Sequence, residues 1–312
     1  MQKPCTYLLL FLTLVFLVLF PNTCVDYAKG GLLLWFHVIL PSLFPFMVLS
    51  RLLMETGAIY IIYRFLSPIL SRLFHVSHPG SFVIFSGFLS GYPMGAKLVS
   101  DLLQKKIISE QEADYLLSFC NNLSPVFVTT FLYSTCFKEQ CSLSFILFII
   151  YGIPLIYGLI RRPKEKIHSI DQPRDSSQNQ TNSLTMEMVD NAIMNGFVNI
   201  TKLGGYIILC SICSGCFTML PCPPIVSGVL STFTEITTGL NHLNSLDIPV
   251  TTKILFSLPL SVFGGLCGIL QTCSIIKDSP LSPLSYIKNK WIQCGISTLL
   301  LILYLLVSVQ NQ

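Results

Sequence analysis

The chain has 312 residues, of which 52% are hydrophobic and only 11% charged, with a formal net charge of +4. That balance lies outside soluble norms and indicates an all-α polytopic membrane protein. In such a chain Lys and Arg report which loops face the cytoplasm, so the positive charge gives no reason to expect nucleic acid.

Residues 7–20 form a short apolar run behind Lys3, readable as a signal peptide or as a first transmembrane helix. No small-x-small cleavage site follows, so residues 1–30 read as a retained N-terminal anchor. Residues 31–53 are the next spanning segment, kinked at Pro41 and Pro45, which lack a backbone donor. Residues 59–74 interleave Arg64 and Arg72 with Ile, Leu and Phe at helical spacing, the pattern of a helix lying at the membrane interface.

Residues 82–103 carry a Ser90-Gly91-Tyr92-Pro93-Met94-Gly95 break between two helical halves and end at Lys105-Lys106, the layout of a re-entrant hairpin. Ser109-Glu110-Gln111-Glu112 is a capping-box start for a helix that breaks at Cys120-Asn121-Asn122-Leu123-Ser124-Pro125 and resumes over 126–132. Residues 142–160 read as an ordinary spanning helix. A polar stretch over 161–187, with Arg161, Arg162, Lys164, Lys166 and Arg174, is the expected cytoplasmic linker.

The second half opens with an amphipathic stretch over 188–200 and a spanning run over 203–220. Residues 225–240, with Glu235 near their middle, resemble a second hairpin. Residues 253–276 are apolar but loosened at Gly264-Gly265 and Gly268, and 291–309 make the last helix after Lys288 and Lys290. Each half thus repeats spanning helix, hairpin, broken helix, spanning helix. With the linker inside, the two run in opposite directions, so the fold expected is an inverted repeat with re-entrant hairpins and broken helices, residues 31–160 against 188–312. Paired interrupted segments at corresponding positions point to a transporter site near the midplane.

The breaks supply the candidate substrate-binding residues Ser90, Gly91, Tyr92, Pro93, Gly95, Lys97, Asn121, Asn122, Ser124, Glu235, Gly264 and Gly265, with Gln271 a weaker one. Lys97 either snorkels to the surface beside Lys105 or, with the N–H groups of the half-helix starting at Met94, offers positive potential to an anion. Asn121, Asn122 and Ser124 either bind a polar substrate or cap broken helix ends. Glu235 either binds a proton or cation or sits at an interface. The Gly91 to Lys97 stretch is not a phosphate-binding loop, having one residue too few between its glycines and no Ser or Thr after the lysine.

Most of the twelve cysteines lie in apolar runs and read as free packing thiols, Cys210, Cys213 and Cys216 included, while a loop disulfide between Cys136 and Cys141 stays open. No metal or other cofactor is expected, and no Ser-His-Asp order, HExxH or paired carboxylates suggest an enzyme.

Together the Ser90 to Lys97 motif and the Phe119 to Pro125 motif resemble the sporulation integral membrane protein family YlbJ, also called SpoVV, whose repeats belong to the nucleoside-recognition Gate superfamily. Gate repeats in turn look like the hairpin and broken-helix units of concentrative nucleoside transporters. The resemblance implies a multi-pass protein of the mother-cell-derived membrane around the forespore, moving dipicolinate toward the forespore. Its expected partners are then a small anionic substrate, the lipid bilayer and other sporulation membrane proteins or further copies of itself. A nucleoside carrier and a non-transporting membrane scaffold are the alternatives.

Overall fold

The computed structural model describes residues 3–138, 140–165, 167 and 183–310. Arg174 and most of the expected 161–187 linker fall outside them, as does the side chain of Arg64. Among the described residues every regular element is helical. Among those residues four helices are long and apolar enough to cross a membrane, five if the bent pair near the N-terminus counts as one span.

Helix α1 covers Lys3–Leu19 and α2 covers Pro21–Leu34. Pro21 sits in the first turn of α2, where its missing N–H has no helical partner to lose. A π-turn over Trp35–Ile39 leads into α3, Leu40–Glu55. The path bends by 48° there. The bend expected from Pro41 and Pro45 is present, but the helical path begins at Pro21 instead of at Gly31, because nothing between them interrupts the backbone ladder.

Helix α4, Ile59–Phe74, packs on α5, His78–Ser90. After the break, α6 runs over Met94–Gln104 and α7 over Glu110–Leu117. Ser109 caps α7, its hydroxyl accepting from Glu112 N at 3.1 Å. Only this half of the expected capping box forms. The fully buried Glu112 carboxylate turns instead to the start of α5, where Oε1 accepts from Ser77 N at 2.7 Å and ties the hairpin to the next helix. The chain is irregular over 118–124 and then forms a helix with π-type bonding over Phe127–Cys136. Helix α8, Leu143–Leu147, a π-turn over Phe148–Gly152 and α9, Ile153–Ile160, make one span.

In the second half the two expected segments over 188–200 and 203–220 are a single helix, α10, Met186–Thr218. Thr201 and Lys202 between them are exposed side chains on an unbroken ladder, so polarity there marks a face and not a break. Helices α11, Pro224–Thr234, and α12, Ile236–Ser245, form the second hairpin. Helices α13, Val250–Phe263, and α14, Gly265–Ile276, are one apolar segment broken at Gly264, whose φ is +96°. Helix α15 begins at Pro283, not at Trp291, and runs to Gln310, which takes Lys288 and Lys290 out of the expected loop and into the helix. Cys136 and Cys141 are free thiols, so the loop disulfide does not form.

The order hairpin, broken helix, span therefore occurs twice. The halves interlock: α10 packs on α2 and α3, α14 on α6, and α15 on both α13 and α9. The first hairpin thus meets the second broken helix.

A Cβ at Gly95 would lie 2.1 Å from the Cys120 carbonyl oxygen, a backbone atom that cannot swing away, whereas one at Gly205 meets nothing within 4 Å. Gly95→Ala is therefore expected to lower the Tm of the purified chain by an amount corresponding to about 1–3 kcal/mol, and Gly205→Ala to leave it unchanged or slightly raised. Burial pushes the Glu112 carboxyl from about 4.5 up to about 7. Below the lower value both folded and unfolded chains hold the proton; between the two only the folded chain does, so stability falls as pH rises through that window. Glu112→Gln keeps the acceptor for Ser77 and is expected to flatten the fall in Tm between pH 5 and pH 8, measured by thermal melts across those buffers.

Candidate functional site

Peptide groups released from a helix at membrane depth must find partners in protein or in a watery cavity. Here the first two breaks satisfy one another. Gly91 has φ +83°, and a Cβ on it would stand 2.5 Å from Ser124 N, so the hairpin tip lies directly on residues 120–124. Tyr92 N donates to Asn122 O at 2.5 Å, next to a cis Tyr92–Pro93 bond. Asn121 Oδ1 accepts from Ala96 N at 3.4 Å, in the first turn of α6.

The rest of the first break is held from the second half. Asn121 Nδ2 donates to Thr272 Oγ1 in α14 and to Tyr286 Oη in α15, both at 2.9 Å. Lys290 Nζ donates to Asn122 Oδ1 at 3.1 Å, and Gln293 Nε2 to Ser118 O at 2.7 Å. Tyr286, Lys290 and Gln293 follow at i, i+4 and i+7, so a single face of α15 carries all three. At the second hairpin, Glu235 caps α12, its Oε2 accepting from Thr238 N at 2.7 Å.

Between the breaks lies a cavity of about 430 Å³, within the range of small-ligand sites. The first hairpin contributes Ser90, Tyr92 and Pro93, and the break that follows it contributes Ser124. From the second half come Glu235, Thr237, Gly264 and Gln271. The remaining wall is largely apolar, with Leu203, Ile207 and the π-turn residues His37, Val38 and Ile39. Ser90 Oγ is buried and has no hydrogen-bond partner among the described residues. The Tyr92 ring rests on α14, close enough that a Cβ at Gly268 would meet it at 3.1 Å.

A second cavity of about 190 Å³ is polar and carries Lys97, Lys202 and Lys277 with Ser100, Gln104, Asn199 and Asp278, whose carboxylate lies 3.8 Å from Lys277 Nζ. Leu203 and Gln271 line both cavities and stand between them.

The candidate residues divide accordingly. Ser90, Tyr92, Pro93, Ser124, Glu235 and Gly264 line the central cavity. Gly91, Gly95, Asn121 and Asn122 do not; they hold the breaks against each other, and Asn121 caps α6 in the way its capping alternative implied. Gly265 turns toward Ile236. The Lys97 ammonium pairs with Asp101 at 2.8 Å, one turn along α6, and the residue lines the second cavity and not the central one. Of the α6 N–H groups expected to face an anion, that of Ala96 is taken by Asn121 and that of Met94 by the Gly91 carbonyl.

The lysine that does reach the break is Lys290, 1% exposed. Sequence reading placed it in a loop because Lys288, Asn289 and Lys290 interrupt the apolar run. The heptad-like spacing of Tyr286, Lys290 and Gln293 was the available signal. His37, Thr237 and Cys267 gave no signal, since their only distinction is to face the cavity.

Lys97 and Asp101 are partly exposed, with side chains 25% and 11% accessible. Lys97→Ala is expected to change stability by no more than about 0.5 kcal/mol, as is usual for such pairs. Asn121→Ala removes its bonds to Ala96 N, Thr272 and Tyr286, leaving the buried Ala96 amide without its partner while Thr272 keeps the Gly268 carbonyl, and is expected to cost about 1–3 kcal/mol. Thermal melts of both variants in one detergent check the ranking.

Residues 36–161 match the family model described as nucleoside recognition, the Gate domain. The sporulation integral membrane protein YlbJ of Bacillus subtilis (strain 168) is 29% identical to the chain over 252 residues, 74% of this chain and 60% of that protein. The chain thus spans about three fifths of that relative's length. No solved structure matches. The chain is thus a helical, multi-pass membrane protein whose residues 36–161 match the nucleoside-recognition Gate model and which is similar over about three quarters of its length to a sporulation integral membrane protein.

Proposed function

We propose that this chain is a carrier in the membranes of a sporulating cell, moving a small rigid dianion of the pyridine dicarboxylate class, dipicolinate, out of the mother cell toward the forespore. The observation that carries the reading is the pair of adjoining cavities. One is lined by Lys97, Lys202 and Lys277 against a single acid, Asp278, and the other is walled by the breaks of both halves, and Leu203 and Gln271 stand between them.

The lysines are on elements that end near the basic linker side: Lys97 in α6 ahead of Lys105 and Lys106, and Lys277 at the end of α14. Carboxylates gather there and pass Gln271, whose amide can both donate and accept. In the central cavity the Tyr92 ring offers a face to the pyridine ring, while Ser124 and Thr237 supply hydrogen bonds. Glu235, held by the Thr238 amide, disfavours a second negative charge and keeps binding loose enough for release. Moving each charge outward from a negative interior is favoured by about 2.3 kcal/mol per 100 mV, so no ATP-driven step is required.

The second reading, a nucleoside carrier, is favoured by the family description and by the apolar share of the central wall. Flux assays with the purified chain in proteoliposomes separate the two. Saturable dipicolinate flux is expected from the wild-type chain. It should fall about tenfold, the equivalent of about 1.4 kcal/mol, in Gln271→Leu and in Lys202→Ala combined with Lys277→Ala. Uridine flux without dipicolinate flux would transfer the site to nucleosides, and flux of neither would favour a scaffold.

A further inference from the structure

Lys290 belongs to neither cavity. It is buried in α15, and its Nζ lies 3.1 Å from Asn122 Oδ1 and 3.4 Å from the Val262 carbonyl oxygen. Asn122 lies in the irregular stretch of the first half. Val262 is in the last turn of α13, just before Gly264, and the carbonyls of a final turn lack intrahelical donors and form the negative end of the helix. The ammonium therefore joins the break of one half to the break of the other, using an amide oxygen and a helix-terminal carbonyl.

Such a donor set is what broken-helix carriers present to a coupling cation: unwound backbone, half-helix C-termini and neutral side-chain oxygens. In this chain the position is filled from within. The neighbouring contacts fix the side chain in place, since Tyr286 one turn earlier and Gln293 one turn later on the same face are bonded to Asn121 and Ser118. A lysine reaching oxygens from two halves holds together segments that would otherwise present uncompensated carbonyls to each other.

We infer that the Lys290 ammonium is a tethered occupant of a monovalent-cation site between the two breaks, so that the chain closes this junction without binding Na⁺ or K⁺. The inference concerns the junction behind the central cavity and holds whichever substrate that cavity takes.

The test uses the full chain in detergent, with Tm measured in NaCl, KCl and choline chloride at equal ionic strength. The wild-type Tm is expected to be the same in all three. Lys290→Ala removes the ammonium and leaves room beside the two oxygens; its Tm should fall in choline chloride and rise saturably with added Na⁺ or methylammonium. Lys290→Met fills the space without charge and should melt low in every salt. Recovery of Lys290→Ala from membranes only when Na⁺ or methylammonium is present would support the same conclusion. Saturable stabilisation of the wild-type chain by Na⁺ or K⁺ would overturn it, as would a Lys290→Ala chain that behaves alike in every salt, folded or not. Because melting needs no transported substrate, this result and the flux assays can fail separately.

Discussion

The structure depends on one constraint: a peptide group unwound in the middle of an apolar bundle needs a partner that is not lipid. The chain meets it by reciprocity. Tyr92 N bonds to Asn122 O, Asn121 Oδ1 takes Ala96 N, and Gln293 takes Ser118 O. Neither the first hairpin nor the first broken helix could keep its shape alone. Gly91 and Gly95 belong to the same arrangement, since side chains there would push the two breaks apart.

The same reciprocity explains why the last helix matters more than its position in the chain suggests. Helix α15 is apolar enough to span, yet one of its faces carries Tyr286, Lys290 and Gln293 into the heart of the first half. Removing a partner from such a network leaves desolvated groups behind, which is more damaging than losing an exposed ion pair. The pair of Lys97 and Asp101 is only partly buried, and the contrast with Lys290 comes from burial, not from residue type. Once the polar groups of the breaks are occupied by each other, the space left between the halves is mainly apolar. Its few polar lining residues, Glu235, Thr237 and Gln271 among them, stand out against that wall.

Much of the architecture was legible in the residues. Gly and Pro in long apolar runs announced breaks near Gly91, Asn121 and Gly264, and an acid in a weakly apolar segment announced the second hairpin at Glu235. Each signal is local: backbone without a helical partner shows itself as Gly, Pro, Asn or a capping side chain wherever it occurs. Boundaries resting on polarity alone were less secure. Thr201 and Lys202 looked like a break and are an exposed face of α10, while Lys288 to Lys290 looked like a loop and lie in α15. A polar residue in an apolar run has the same appearance whether the chain leaves the helix or a neighbouring helix offers it a partner.

The sequence by itself determined that the chain is helical, that it is built for a membrane, and where its helices break, because those properties follow from composition and from the hydrogen-bonding capacity of each short segment. Only the tertiary structure decided which polar groups meet. Lys97 and Lys290 are chemically identical and both border apolar runs of the sequence; one pairs within its own helix, and the other reaches the breaks of both halves. That choice is set by the packing of α15 against α13 and α9, across separations of more than a hundred residues for α9, and no periodicity within either segment encodes it.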